Sequence, residues 1–156
     1  MKASTHNIKI GSGGHECDAV VLTCIDFRIR GRDVEAVVAA VYKDEEPVTS
    51  FDEIRIAGSA KAINDGKHAE LILQSIKVGV EMHSAKRVVI INHHDCGAYG
   101  GFARFGGDEN AERDFHATEL KKAGKSVADF LASIGKNQVP VDLLFISETG
   151  VTPVAA

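Results

Sequence analysis

Long apolar runs are missing from this sequence. No stretch approaches the roughly 18 consecutive apolar residues that a membrane-spanning helix needs, so no such span is expected. Met1 to Gly14 is polar and carries no apolar segment of its own, so no secretory leader is expected either. Positive charge is not in excess. Lys and Arg number 18 against 22 Asp and Glu, a formal net charge of -4, which argues against nucleic acid or an anionic membrane as the main partner. Cysteine is scarce, with three residues. That number is odd, and two of them sit in spacing that suits a metal, so a disulfide framework is not expected and a reducing, cytoplasmic setting fits best. The sequence holds no internal repeat and no low-complexity segment. What remains is an ordinary composition, 44% hydrophobic and 26% charged, in a chain long enough to bury a core as one domain over residues 1–156.

Short apolar, β-branched runs alternate with longer amphipathic ones. Asp18 to Cys24, Phe51 to Ile56, Arg87 to Asn92 and Val141 to Ser147 read as strands, bounded by turn residues such as Ala57-Gly58-Ser59. A further short strand is possible at Asn7 to Ile10. Helices are predicted over Arg32 to Tyr42, Lys67 to His83 and Asn110 to Ile134. In the second of these Ile72, Ile76 and Val80 stand four apart on one face. In the third Val127, Phe130, Leu131 and Ile134 share a face. Gly97 to Gly107 reads as a glycine-rich loop, and the tail after Glu148 as short and loose. Alternating strands and helices predict an α/β fold, a three-layer αβα sandwich around a mainly parallel sheet of about four strands. Right-handed crossovers favour the order 2-1-3-4. Strands one and three would then be neighbours at the topological switch point, where such sheets bind ligands.

Two motifs fall at that point. Cys24-Ile25-Asp26-Phe27-Arg28 follows the first strand, and His93-His94-Asp95-Cys96-Gly97 follows the third. Two thiolates and an imidazole are ligands that zinc prefers, and three protein ligands leave a fourth position open for chemistry. Cys24, His93 and Cys96 are therefore the candidate metal ligands. Asp26 and Arg28 share a face with Cys24 if the segment stays extended. Arg28 can then grip Asp26 in a bidentate pair and keep it ionised. Alone, each motif also has an ordinary reading: a buried Cys packs as a small hydrophobe, and Asp26 with Arg28 makes a strand-end ion pair.

Together with Arg55-Ile56-Ala57-Gly58, these motifs give the chain a resemblance to the β-class carbonic anhydrases, from Asp18 to Ser147. The resemblance implies zinc bound by Cys24, His93 and Cys96, with Asp26 and Arg28 as a dyad beside the metal. It implies reversible hydration of carbon dioxide to bicarbonate by metal-bound hydroxide. It implies a homodimer or a dimer-based assembly. It also implies that Asp26, untethered, could occupy the fourth zinc position, as in family members that switch this way. Ile56 stands where the family often has Asn, no counterpart of its substrate-contacting glutamine is identifiable, and a polar stretch stands where many members have a helical arm. Carbonyl sulfide or carbon disulfide hydrolysis on the same scaffold is an alternative, as is a noncatalytic metal-binding protein.

Other residues read less sharply. His94 suits a proton shuttle or a solvated position better than a second ligand. Asp95 suits backbone hydrogen bonds in its turn. His15 and Cys17 precede the first strand, where an alternative-ligand role is open but a free thiol is the simpler reading. Gly11-Ser12-Gly13-Gly14 lacks the flanking strand and helix of a dinucleotide fingerprint and reads as a flexible turn. Tyr99, Phe102 and Phe105 either roof an apolar pocket or make core or interface contacts. The helix from Arg32 to Tyr42 is apolar on nearly every side, which calls for a covering surface beyond one sheet face.

Overall fold

In the computed structural model, residues 14–44 and 46–155 are described. Five strands form one sheet: β1 (Ala19–Thr23), β2 (Phe51–Arg55), β3 (Arg87–His93), β4 (Val141–Ser147) and β5 (Gly150–Pro153). The order is β2-β1-β3-β4-β5. The first four are parallel, and β5 runs antiparallel to β4. The expected order 2-1-3-4 is present, with a fifth strand added. The tail after Glu148 is thus not loose. Gly150–Pro153 pairs with Ser147–Leu144, and the Val154 N–H donates to the Leu143 carbonyl at 2.8 Å. A proline is tolerated there because β5 is an edge strand. The possible strand at Asn7 to Ile10 lies outside the described residues, as do Gly11 to Gly13.

The helices are α1 (Gly31–Val41), α2 (Ala60–Asn64), α3 (Ala69–Met82) and α4 (Glu109–Ser133). Side chains alternate across the buried strands. Val20, Leu22, Val88, Ile90, Leu143 and Phe145 face one core with α2, α3 and α4. Ala19, Val21, Val89, Ile91 and Leu144 face a second core with α1. This is the predicted three-layer arrangement. α3 buries Ile72, Ile76 and Val80, as their spacing requires. α4 starts at Asp108, whose side chain accepts from the Asn110 and Ala111 N–H groups and caps the helix. α1 buries Val34 and Val38 and leaves Ala36, Ala39 and Ala40 exposed.

Register places the functional ends together. Leu22 pairs with Ile90 and His93 with Ile146, so the carboxyl ends of β1 and β3 finish side by side. α2 was not expected. It is a five-residue helix between β2 and α3, and it depends on partners distant in sequence. The Ala60 N–H donates to Asn92 Oδ1, and Asn64 Nδ2 donates to Glu119.

Candidate metal centre

Cys24 leaves β1, His93 ends β3, and Cys96 lies in the turn after it. Their side chains meet in the interior, with 4%, 5% and 2% exposure. One ligand atom from each lies within 4.8 Å of the others. The two sulfurs are 3.9 Å apart. Two sulfurs on one tetrahedral zinc stand about 3.8 Å apart, given Zn–S bonds of about 2.3 Å, so little movement is needed.

His93 Nδ1 donates to the His94 carbonyl at 2.7 Å. In the neutral ring that bond keeps the proton on Nδ1 and leaves the Nε2 lone pair free. Nε2 is buried without a hydrogen-bond partner, which is costly unless something takes its lone pair. A cation satisfies it. The thiols behave as a pair. One ionises far below the usual thiol range, helped by its hydrogen bond to the neighbouring sulfur. The other is pushed up by that charge and by burial. A divalent ion between them would remove the penalty on the second thiolate. The residues therefore fit zinc.

Backbone geometry supports the sulfurs. The Gly58 N–H donates to Cys24 Sγ at 3.3 Å. Gly58 holds a positive φ of 77°, and a Cβ there would lie 2.9 Å from Lys61 Cβ and 3.0 Å from Ala98 Cβ. Only glycine delivers its amide to the sulfur without a clash. Tyr99 packs against both cysteines, and Phe115 meets Tyr99 edge-on. Tyr99, Phe102 and Phe105 are packing residues: Phe102 touches the His94 ring and Phe105 the Phe115 ring.

Asp26 and Arg28 form a tight pair beside the cysteines. Arg28 Nε donates to both carboxylate oxygens of Asp26, at 3.0 and 3.2 Å, and Nη2 donates to Oδ2 at 2.7 Å. The guanidinium holds the Asp26 carboxyl down to about 2. Asp26 Oδ2 lies 4.0 Å from His93 Nε2, so the carboxylate faces the same space as the orphaned nitrogen. Arg28 is itself held by Asp95, whose Oδ2 and carbonyl accept at 2.8 Å. Asp95 Oδ1 takes the Phe102 N–H, a backbone role in the turn.

A family of proteins described as "Putative carbonic anhydrase" matches residues 14–154. The chain belongs to this family. Curated relatives include an uncharacterized protein of Rickettsia conorii, 25% identical over 88 residues, or 54% of this chain and 45% of that protein. Another, from Rickettsia bellii, is 23% identical over 121 residues, covering 74% of this chain and 70% of its own length. The match thus spans less than half of the first relative. Among solved structures, the β-carbonic anhydrase CafD of Aspergillus fumigatus has a TM-score of 0.58 at 11% identity, covering 97% of this chain and 95% of its own. The β-class resemblance and the αβα fold both stand.

Several supporting contacts of this carbonic anhydrase-like site are not legible in the motifs alone, although Arg55 itself belongs to one of them. Arg55 Nη2 donates to the carbonyls of Cys24, Asp26 and Ile29, gathering the loop after β1. Glu112 is fully buried on α4. Its Oε1 accepts the Asp95 N–H at 2.8 Å, and its Oε2 pairs with His94 Nδ1. Beside it His116 accepts from Asn92 Nδ2 at 3.2 Å, and burial lowers its pKa to about 4. For Glu112 and His116 a signal exists in the sequence. The apolar stripe Leu131, Val127, Ala123 and Leu120, continued one turn at a time, lands on His116 and then Glu112. His94 turns from the cysteines toward a cleft of about 160 Å³ that Glu112, Ser147 and Glu148 also line.

Proposed function

We propose that this protein binds zinc through Cys24, His93 and Cys96 and catalyses the reversible hydration of carbon dioxide to bicarbonate. The observation that carries the reading is the orphaned His93 Nε2, buried beside two sulfurs and facing a carboxylate clamped by an arginine, in a member of a carbonic anhydrase family. Zinc bound there supplies Lewis-acid chemistry, bringing the pKa of a water to about 7. The remaining roles belong to the chain. Asp26, ionised throughout the neutral range, can only accept hydrogen bonds, so it orients a water by its proton. Arg28 keeps that carboxylate aimed and unable to wander. The Gly58 N–H and the buried turn keep the sulfurs in place. His94, bonded to Glu112 and open to the cleft, offers a route for the proton to solvent.

Metal analysis and stopped-flow hydration assays test this. The expected result is zinc lost and hydration abolished in Cys24→Ser, because a neutral hydroxyl does not replace a thiolate. Zinc at the centre without hydration by the wild type would instead leave a noncatalytic metal-binding member of the family. Carbonyl sulfide and carbon disulfide, assayed alongside, identify a changed substrate.

We also propose a homodimer or dimer-based assembly. Support comes from exposed apolar residues beside the site, with Phe27 88% and Ile25 62% exposed. The sheet face under α1 adds to it, since this one helix leaves Val37 and Val41 half-buried. Reduced thiols at the centre favour the cytoplasm; among the described residues no helix is long and apolar enough to cross a membrane.

A further inference from the structure

Cys17, Asp52 and His83 converge at the opposite end of β1. Cys17 lies two residues before that strand, Asp52 is the second residue of β2, and His83 caps the C-terminus of α3. One ligand atom from each lies within 4.8 Å of the others. Their placement is built rather than incidental. The Cys17 N–H donates to the His83 carbonyl at 2.8 Å, which ties the thiol to the end of the helix. His83 Nδ1 and Asp52 Oδ2 are 2.7 Å apart. Asp52 is set by its register with Val20 in β1. All three are half-buried, so an ion can reach them from solvent. His15 lies beside the three, outside the group of atoms that already meet: its ring stacks on His83, with centroids 6.3 Å apart and planes 21° from parallel.

We propose that Cys17, Asp52 and His83, closed by His15, form a second site for a zinc-class divalent ion. The donor set decides the class. A thiolate with imidazoles and one carboxylate suits zinc and its neighbours, whereas calcium and magnesium take oxygen donors. The site is separate from the first. Seven residues of largely extended chain, about 3.3 Å each, put Cys17 roughly 20 Å from Cys24. With His15 as the fourth ligand, the coordination is closed and leaves no position for substrate. Its role is then structural, as a clamp joining the segment before β1 to β2 and to the end of α3. Binding breaks the His83–Asp52 hydrogen bond: a proton on the ligating imidazole nitrogen moves to the other ring nitrogen or to solvent, and the thiol proton leaves to solvent.

The experiment is zinc titration of the chelator-stripped, full-length protein against a chromophoric competitor, wild type beside Cys17→Ser/His83→Gln. The variant should take up one equivalent fewer. The readout is a difference between proteins that share the Cys24–His93–Cys96 centre, so it holds whether or not that centre fills. With cobalt as the probe, loss of Cys17 should also weaken the thiolate-to-metal absorption. Equal uptake by both proteins overturns the site. If the double variant does not fold, Asp52→Asn gives the same readout, with the additional equivalent held roughly tenfold more weakly or worse. Unchanged affinity in Asp52→Asn overturns the site equally.

Discussion

Arg28→Ala should cost far more activity than stability. Arg28 makes three side-chain hydrogen bonds to Asp26 and two to Asp95. Its grip lowers the Asp26 carboxyl from an ordinary 3.8 to about 2. A shift of that size corresponds to about 2.5 kcal/mol of preference for the charged form. The Arg28 side chain is 46% exposed, so solvent screening reduces the stabilisation to on the order of 1 kcal/mol. Because the folded-state pKa lies below the unfolded one, this contribution is complete above about 4 and fades as pH falls toward 2. At pH 7 the variant should therefore melt only about 2–4 °C lower, the shift that about 1 kcal/mol gives in a chain of this size. Carbon dioxide hydration should fall about 10- to 100-fold, the range for partners that orient groups around a metal. Asp26, freed but still charged, would move toward the metal position. Stopped-flow assays, melts at pH 7 and at pH 3, and a crystal structure of the variant test each part. Full activity with Asp26 unmoved would refute the clamp. A loss of several kcal/mol that persists at low pH would make Arg28 a strut of the fold instead.

Glu112→Ala should destabilise the protein by about 1–3 kcal/mol, since it strips the acceptor from the half-buried Asp95 N–H and from His94; urea melts check this, and a change below about 1 kcal/mol would mean water replaces the carboxylate. Gly79→Ala would put a Cβ 2.3 Å from Val20 Cγ2 and 3.0 Å from Asp52 Oδ2. That overpacking, about 1–3 kcal/mol, should outweigh the roughly 1 kcal/mol gained in helix propensity, and an unchanged melting temperature would refute the tight approach of α3 to the sheet. Light scattering should give a multiple of the 16.7 kDa chain. A monodisperse monomer that still hydrates carbon dioxide would remove the dimer from the mechanism.

Sequence alone determined the parts of this protein whose signals are local. Val20 to Leu22 and Val88 to Ile91 are short, mostly β-branched apolar runs that bury both faces, so they are strands in almost any context, and their ends follow from the turn residues after them. Cys24 and His93 were legible for the same reason: each sits where such a run stops. The spacing of Ile72, Ile76 and Val80 specified α3 equally well. Tertiary structure decided what depends on residues far apart in the chain. α2 is too short for a period of its own and is held by Asn92 and Glu119. β5 pairs only because β4 offers a free edge. Glu112 continues a legible helix stripe and Arg55 sits in a legible motif, but what each holds is settled only when folding brings Asp95 and the carbonyls after β1 within reach. Cys24 and Cys96 stand 72 positions apart, and Cys17 and Asp52 acquire a shared environment with His83 only through the parallel pairing of β1 with β2 and the packing of α3. Hydrogen bonds and metal geometry act over a few ångströms, so where distant segments meet is fixed by sheet register and helix packing, which no short stretch of sequence encodes.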